Sequence, residues 1–194
     1  DVFTGWNITY FDLPYLYNRI YKIIGATGAK RLSPWNKVIV KEDEKSIYGS
    51  RQTVQIKGIT NFDYLELFKK FSHGYGTQES YSLNHIAHVV LGKEKLDYTE
   101  FSSLNELREK DHQKFIDYNI KDVLLIDELD DKLDLITLGV TMAYRGGVDY
   151  IKVFGTVGIW DSIIYRELDD KGIVIPPMKM KTDEKVSFPG GYVK

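Results

Sequence analysis

Two runs rich in β-branched residues, Lys37-Val38-Ile39-Val40-Lys41 and Arg51-Gln52-Thr53-Val54-Gln55-Ile56, flank the charged stretch Glu42-Asp43-Glu44-Lys45 and Gly49. Runs of this kind separated by turn residues predict a β-hairpin over 37–56 with a long polar tip. Helical patterns surround it. Asp12-Leu13-Pro14-Tyr15 reads as a helix start, and Leu16, Ile20, Ile23 and Ile24 form an apolar face that Gly25 and Gly28 should end. Residues 59–65 read as a short strand that passes into Glu66–Phe71. A further helix should begin at Ser82, and Ser103-Leu104-Asn105-Glu106 has capping-box spacing. From about Asp111 to Leu138, the spacing of Phe115, Ile116, Val123, Ile126, Leu129 and Leu133 predicts one long, largely buried helix. Residues 160–168 read as helix, and Gly146-Gly147 as a turn. A hairpin inserted among helices and short strands makes the chain mixed α/β.

Composition narrows the chemistry little. At 194 residues the chain can build one well-packed domain, with room for a small appendage. It has no cysteine, which excludes disulfides, thiolate zinc sites and a cysteine nucleophile. A net charge of −2 gives no overall attraction to nucleic acid, so any such contact must be local. No apolar run reaches the roughly 20 residues of a membrane span, and no signal-peptide pattern opens the chain. It begins Asp1-Val2-Phe3 without an initiator Met and reads as an interior segment.

Two short patterns could carry chemistry. In Gly5-Trp6-Asn7-Ile8-Thr9-Tyr10-Phe11-Asp12, a strand runs into aromatics and a carboxylate where a helix begins. Asp12 is then either a helix N-cap or a metal-organising carboxylate at the C-terminal end of a strand. In Tyr118-Asn119-Ile120-Lys121-Asp122, the first and last residues share a helix face. They are either a core tyrosine with a solvated aspartate, or a metal ligand with a phenol able to hold water. His85 and His88 also share a face, but no carboxylate motif accompanies them and they read as surface or capping residues. Asp127, Glu128, Asp130, Asp131 and Asp134 read as a solvated helix face.

The first pattern resembles the second exonuclease motif of family B DNA polymerases, Asn-x-x-x-Phe-Asp, through Asn7, Phe11 and Asp12. The second resembles their third motif, Tyr-x-x-x-Asp, through Tyr118 and Asp122. Lys30–Pro34, Asp63-Tyr64, Lys69–Ser72, Ser80–Leu83, Trp160-Asp161, Val174–Pro176 and Phe188–Lys194 resemble the replicative polymerases of T-even-type bacteriophages, in the same order. The resemblance implies a ribonuclease-H-like 3′→5′ exonuclease domain, N-terminally truncated, with an inserted β-hairpin and a helical C-terminal extension. It divides the chain into a partial exonuclease domain (1–133), a return segment of the N-terminal domain (134–177) and the start of the palm (178–194).

By the same resemblance, Asp12 and Asp122 are metal ligands for Mg²⁺ or Mn²⁺, Tyr118 orients the attacking water, and Asn7 and Phe11 line the path of a frayed 3′ strand. Hard divalent cations prefer oxygen donors, which suits this set. The implied partners are single-stranded 3′ ends and primer–template DNA, the rest of a polymerase chain, and a sliding clamp. The implied location is the host-cell cytoplasm. The hairpin is implied to help separate primer from template.

One departure stands out. No Asp in the chain is followed two residues later by Glu, so the family's first exonuclease motif is missing. The segment by itself is therefore expected to be inactive. The rival reading is a non-catalytic DNA- or clamp-associated polymerase module. The polymerase-like stretch from Trp160 to Lys194 argues against a stand-alone nuclease.

Overall fold

The computed structural model describes residues 2–43, 51–93 and 103–175. The first strand, β1 (Val2–Gly5), leads into α1 (Asp12–Lys30) and then into the hairpin formed by β2 (Val38–Asp43) and β3 (Arg51–Ile56). Strand β4 (Thr60–Asp63) follows, then α2 (Tyr64–Phe71), α3 (Leu83–Leu91), α4 (Leu104–Lys110), α5 (His112–Leu133), α6 (Leu135–Gly146), a 3₁₀ turn at Tyr150–Phe154, and α7 (Val157–Asp170). This is the mixed α/β architecture expected. The hairpin falls where the β-rich runs place it, with Val38 opposite Ile56 and Asp43 opposite Arg51. Its tip at 44–50 lies outside the described residues, as does the segment 178–194 read as palm.

Strands β1 and β4 pair in parallel, Val2 opposite Thr60 and Gly5 opposite Asp63. A parallel pair needs a long crossover, here supplied by α1 and the hairpin. The register brings the C-terminal ends of both strands together, so the loop leaving β1 lies beside Asp63. The buried Asp63 carboxylate accepts N–H bonds from Asn7 (2.9 Å) and Thr9 (3.0 Å) in that loop, and from Leu65 (3.2 Å) at the start of α2. Thr4 Oγ1 donates to Phe62 O, and Trp6 Nε1 to Tyr81 O, fixing the same end of the sheet to the body.

Two cores result. The larger joins Phe62, Tyr64, Leu67 and Phe68 to residues of α3, α5 and α6, and to Val153 of the 3₁₀ turn. Gly139 of α6 packs where a Cβ would come within 3.3 Å of the Phe62 ring, so a small residue lets this helix lie on β4. Residues 135–154 thus share the core of the preceding segment. The smaller core joins Ile8 and Leu13 to Val54 and Ile56, with Tyr17, Leu32, Val38 and Val40 around it. It fastens α1 to the hairpin.

Several expectations need correction. Gly25 and Gly28 do not stop α1: Gly25 (φ 75°, ψ −177°) kinks it, and helical geometry resumes to Lys30. Its apolar face is largely in solvent, with Ile23 and Ile24 at 64% and 60% exposure. Strand β4 ends at Asp63 rather than 65, because Asp63 caps α2. The long helix predicted to reach Leu138 breaks at Asp134, which takes a left-handed conformation (φ 51°). Asp130 Oδ1 then accepts the Ile136 N–H and starts α6 in a new direction. Ser82 and Ser103 cap α3 and α4 as their spacing predicts, and left-handed Gly147 ends α6.

Removing the Asp63 carboxylate leaves three partly buried N–H donors without a charged acceptor. Asp63→Ala should cost about 3 kcal/mol and lower the melting temperature by roughly 6–12 °C, whereas Asp63→Asn, which keeps one acceptor oxygen, should cost less. Thermal unfolding followed by circular dichroism checks both values. Equal, near-zero losses would refute the bracing role.

Candidate metal-binding cleft

The turn from β1 into α1 is built by backbone bonds rather than by a helix cap. Asn7 adopts φ 62°, Phe11 N donates to Asn7 O, and Leu13 N donates to Ile8 O. Phe11 occupies the cap position without a side-chain bond, and Asp12 is the first helical residue. The cap reading of Asp12 is therefore incorrect. Burial raises its carboxyl above the usual range; its own backbone N–H pulls the other way, and the negative charge of Asp63 adds to the rise.

Asp122 arrives from the other core. It lies on α5, whose Leu125 and Leu129 are buried in the larger cluster. Asp12 and Asp122 line one cleft of about 480 Å³, between the end of β1 and the flank of α5. Asp127 and Asp130 line it as well, and none of its lining residues is Lys or Arg. The cleft therefore favours cations and repels a bare phosphodiester.

The other sequence candidates lie off this wall. Tyr118, one turn before Asp122, is buried at 8% exposure and is not among the cleft residues. Asn7 is exposed and holds Asp63 through its backbone N–H. Phe11, beside Asp12 in the chain, is 69% exposed. His85 Nε2 lies 3.3 Å from Gln78 Oε1, and His88 is exposed.

The donor chemistry of Asp12 and Asp122 fits a hard divalent ion. Among the described residues, however, no three Asp, Glu, His or Cys side chains converge closely enough to hold one. An ion at this cleft would need ligands beyond these two.

Three acidic residues have roles that sequence reasoning missed. Asp63 braces the motif loop, and the Asp63-x-x-Glu66 spacing is a helix-start signal that could have revealed it. Asp127 and Asp130 were read as a solvated face but line the cleft; Asp130 follows Asp122 by eight residues, about two turns, and so shares its face. The Tyr64 phenol is pushed up, first by burial and then by the Asp130 charge. Glu128 does pair at the surface, with Lys93 at 2.9 Å, and this contact holds its carboxyl below the usual range.

Residues 1–86 match the family model described as DNA polymerase family B, exonuclease domain. The chain is 40% identical over 193 residues to a DNA-directed DNA polymerase of Escherichia phage RB69, covering 100% of this chain and 21% of that protein. It is 38% identical over 192 residues to the DNA-directed DNA polymerase of Enterobacteria phage T4, covering 99% of this chain and 21% of that relative. It is 30% identical over 207 residues to a DNA polymerase delta catalytic subunit of Plasmodium falciparum, covering 100% of this chain and 18% of the relative. The chain thus spans about a fifth of the length of the phage proteins it matches. Among the described residues no helix is long and apolar enough to cross a membrane. Collinear identity over the whole length, together with the exonuclease-domain match over residues 1–86, identifies this chain as an exonuclease-domain segment of the family B DNA polymerases of T-even phage type.

Proposed function

We propose that this segment supplies half of a two-metal 3′→5′ proofreading site in a longer DNA-directed DNA polymerase. One observation carries the reading: Asp12 and Asp122, more than a hundred positions apart and on helices that pack into different cores, line the same cleft. In this reading the domain is of the ribonuclease-H-like type, and the Asp-x-Glu strand of that fold is not within these 194 residues. Residues 1–133 form the exonuclease part, 134–177 the return segment and 178–194 the start of the palm. The partners are single-stranded and primer–template DNA, the remainder of the polymerase and a sliding clamp, in the host cytoplasm.

Asp12 and Asp122 would hold Mg²⁺ or Mn²⁺. Bound ions of this kind neutralise charge on the attacking and leaving oxygens and lower the pKa of the attacking water. The chain itself supplies carboxylate oxygens from two rigidly mounted elements. Exposed Phe11 offers a ring on which any unpaired base can stack, which suits a site that must accept all sequences. Asn7 lies in the same turn. Tyr118 steadies the helix that carries Asp122, and its water-orienting role would require the hydroxyl to turn into the cleft.

Two outcomes test this function. The purified 194-residue chain should show no Mg²⁺-dependent degradation of single-stranded DNA, because two of its carboxylates are missing. In a full polymerase containing this segment, Asp12→Ala or Asp122→Ala should each lower exonuclease turnover by at least about 10²-fold and leave synthesis intact, since even outer-sphere partners of a metal cost 10–100-fold. Degradation by the isolated chain, abolished by Asp122→Ala, would overturn the incomplete-site reading.

The raised Asp12 carboxyl adds a test of stability. A group whose folded pKa exceeds its unfolded value favours the protonated state in the fold. Its charge therefore opposes folding above that pKa, and the opposition fades as pH falls. Without divalent metal at neutral pH, Asp12→Asn should melt at the same temperature as the parent or higher, with the difference vanishing toward acidic pH. A clear loss of stability at neutral pH would mean that the carboxylate braces the fold.

A further inference from the structure

Among the described residues, two side-chain contacts outside the smaller core join the hairpin to the Asp12 segment. The Arg51 guanidinium lies over the Tyr10 ring, 5.3 Å from its centroid. Asn18 Nδ2, on α1, donates to Gln52 Oε1 at 2.6 Å. Arg51 opens β3 and pairs across the ladder with Asp43, so this contact is made at the tip end of the hairpin. Tyr10 stands two residues before Asp12 in the loop that Asp63 braces. A second cleft of about 430 Å³ opens beside the two contacts, lined by Tyr10 and Leu13, by Lys41 and Thr53 of the hairpin, and by Asp63 and Phe154 beyond.

These contacts join the tip end of the hairpin to Tyr10, two residues before Asp12, and to Asn18, six residues after it. The smaller core ties the root of β2 and β3 to Ile8 and Leu13, and the two surface contacts tie the outer end to Tyr10 and Asn18. A hairpin held only at its root could bend away from the loop when a duplex end presses on it. Held at both ends, it transmits that load to the segment carrying Asp12.

We propose that Tyr10–Arg51 and Asn18–Gln52 act as a latch that makes the hairpin and the Asp12 loop one mechanical unit, so that a primer end separated at the hairpin is delivered directly to the cleft. These four are positioning residues that act through the hairpin. The inference rests on the strand-separating reading of the hairpin. At exposed positions a cation–π contact or a hydrogen bond changes an equilibrium by about two- to five-fold, a range suited to a contact that must hold and release.

The test uses the full polymerase containing this segment, with two substrates: an unpaired single strand and a matched duplex primer end. Tyr10→Ala, Arg51→Ala and Asn18→Ala should each leave single-strand hydrolysis within about two-fold of the parent, which also reports correct folding, and should lower duplex-end hydrolysis by about two- to five-fold. Tyr10→Ala combined with Arg51→Ala should lose no more than either alone, and Arg51→Lys should recover part of the rate. Deletion of residues 43–46 is the reference. If the deletion lowers duplex-end hydrolysis but the substitutions do not, the latch is wrong and the hairpin's role stands. If the deletion also has no effect, the strand-separating role fails and the latch with it.

Discussion

A single buried carboxylate organises this molecule. Asp63 ends one strand of a parallel pair, caps the helix that follows, and accepts two N–H groups from the loop leaving the neighbouring strand. Charge-assisted bonds of this kind are short and directional, so they add a fixed point to a loop otherwise held by its own backbone turns and by Trp6 and Ile8. Trp6 and Ile8 anchor the loop to the two cores and Tyr10 meets the hairpin, while Asn7 takes a left-handed backbone and Phe11 is exposed. Asp63 also joins the two cores, since α2 belongs to the larger and Ile8 to the smaller. The relative position of Asp12 and Asp122 depends on that junction.

Much of the architecture was legible because local chemistry decides it. The hairpin follows from two β-rich runs around a charged turn, and α3 and α4 begin where Ser82 and Ser103 can cap them. Position-specific tertiary effects were not legible. Periodicity shows that Leu16, Ile23 and Ile24 share a face, but it cannot show whether another element covers that face, and here none among the described residues does. The break at Asp134 was hidden by apolar spacing that continues across it. It exists because Asp130 offers an acceptor to the next helix, which a count of charges on a helix face does not reveal. Asp12 is the clearest case. Local pattern makes it a cap, whereas long collinear resemblance only implies a ligand, and the structure gives the cap position to Phe11.

The cleft bears the marks of a site held against the preferences of the fold. Asp12 is exposed, but the desolvation it does undergo, and to a smaller extent the charge of Asp63, raise its carboxyl, and the helix does not use its side chain as a cap. Asp130 lines the cleft and accepts the Ile136 N–H at the start of α6, while lying beside the Tyr64 phenol. Groups of one sign gathered around an opening destabilise a compact state and favour a cation that relieves them. The exposed rings and aliphatic side chains of α1 and α7, Tyr15, Ile23 and Trp160 among them, make further surfaces that a larger polypeptide could cover.

The division into two cores has a consequence for how such a sequence tolerates mutation. The larger core holds most of the buried apolar residues and one candidate ligand, while the smaller holds the other ligand and the hairpin. A substitution that loosens the smaller core would shift Asp12 away from Asp122 and leave the bulk of the fold intact. Cellular quality control removes proteins in proportion to how often they unfold, so it would pass over such a variant. If the segment serves proofreading as proposed, the damage would then surface as errors left in copied DNA, accumulating in the lineage while the protein remained abundant.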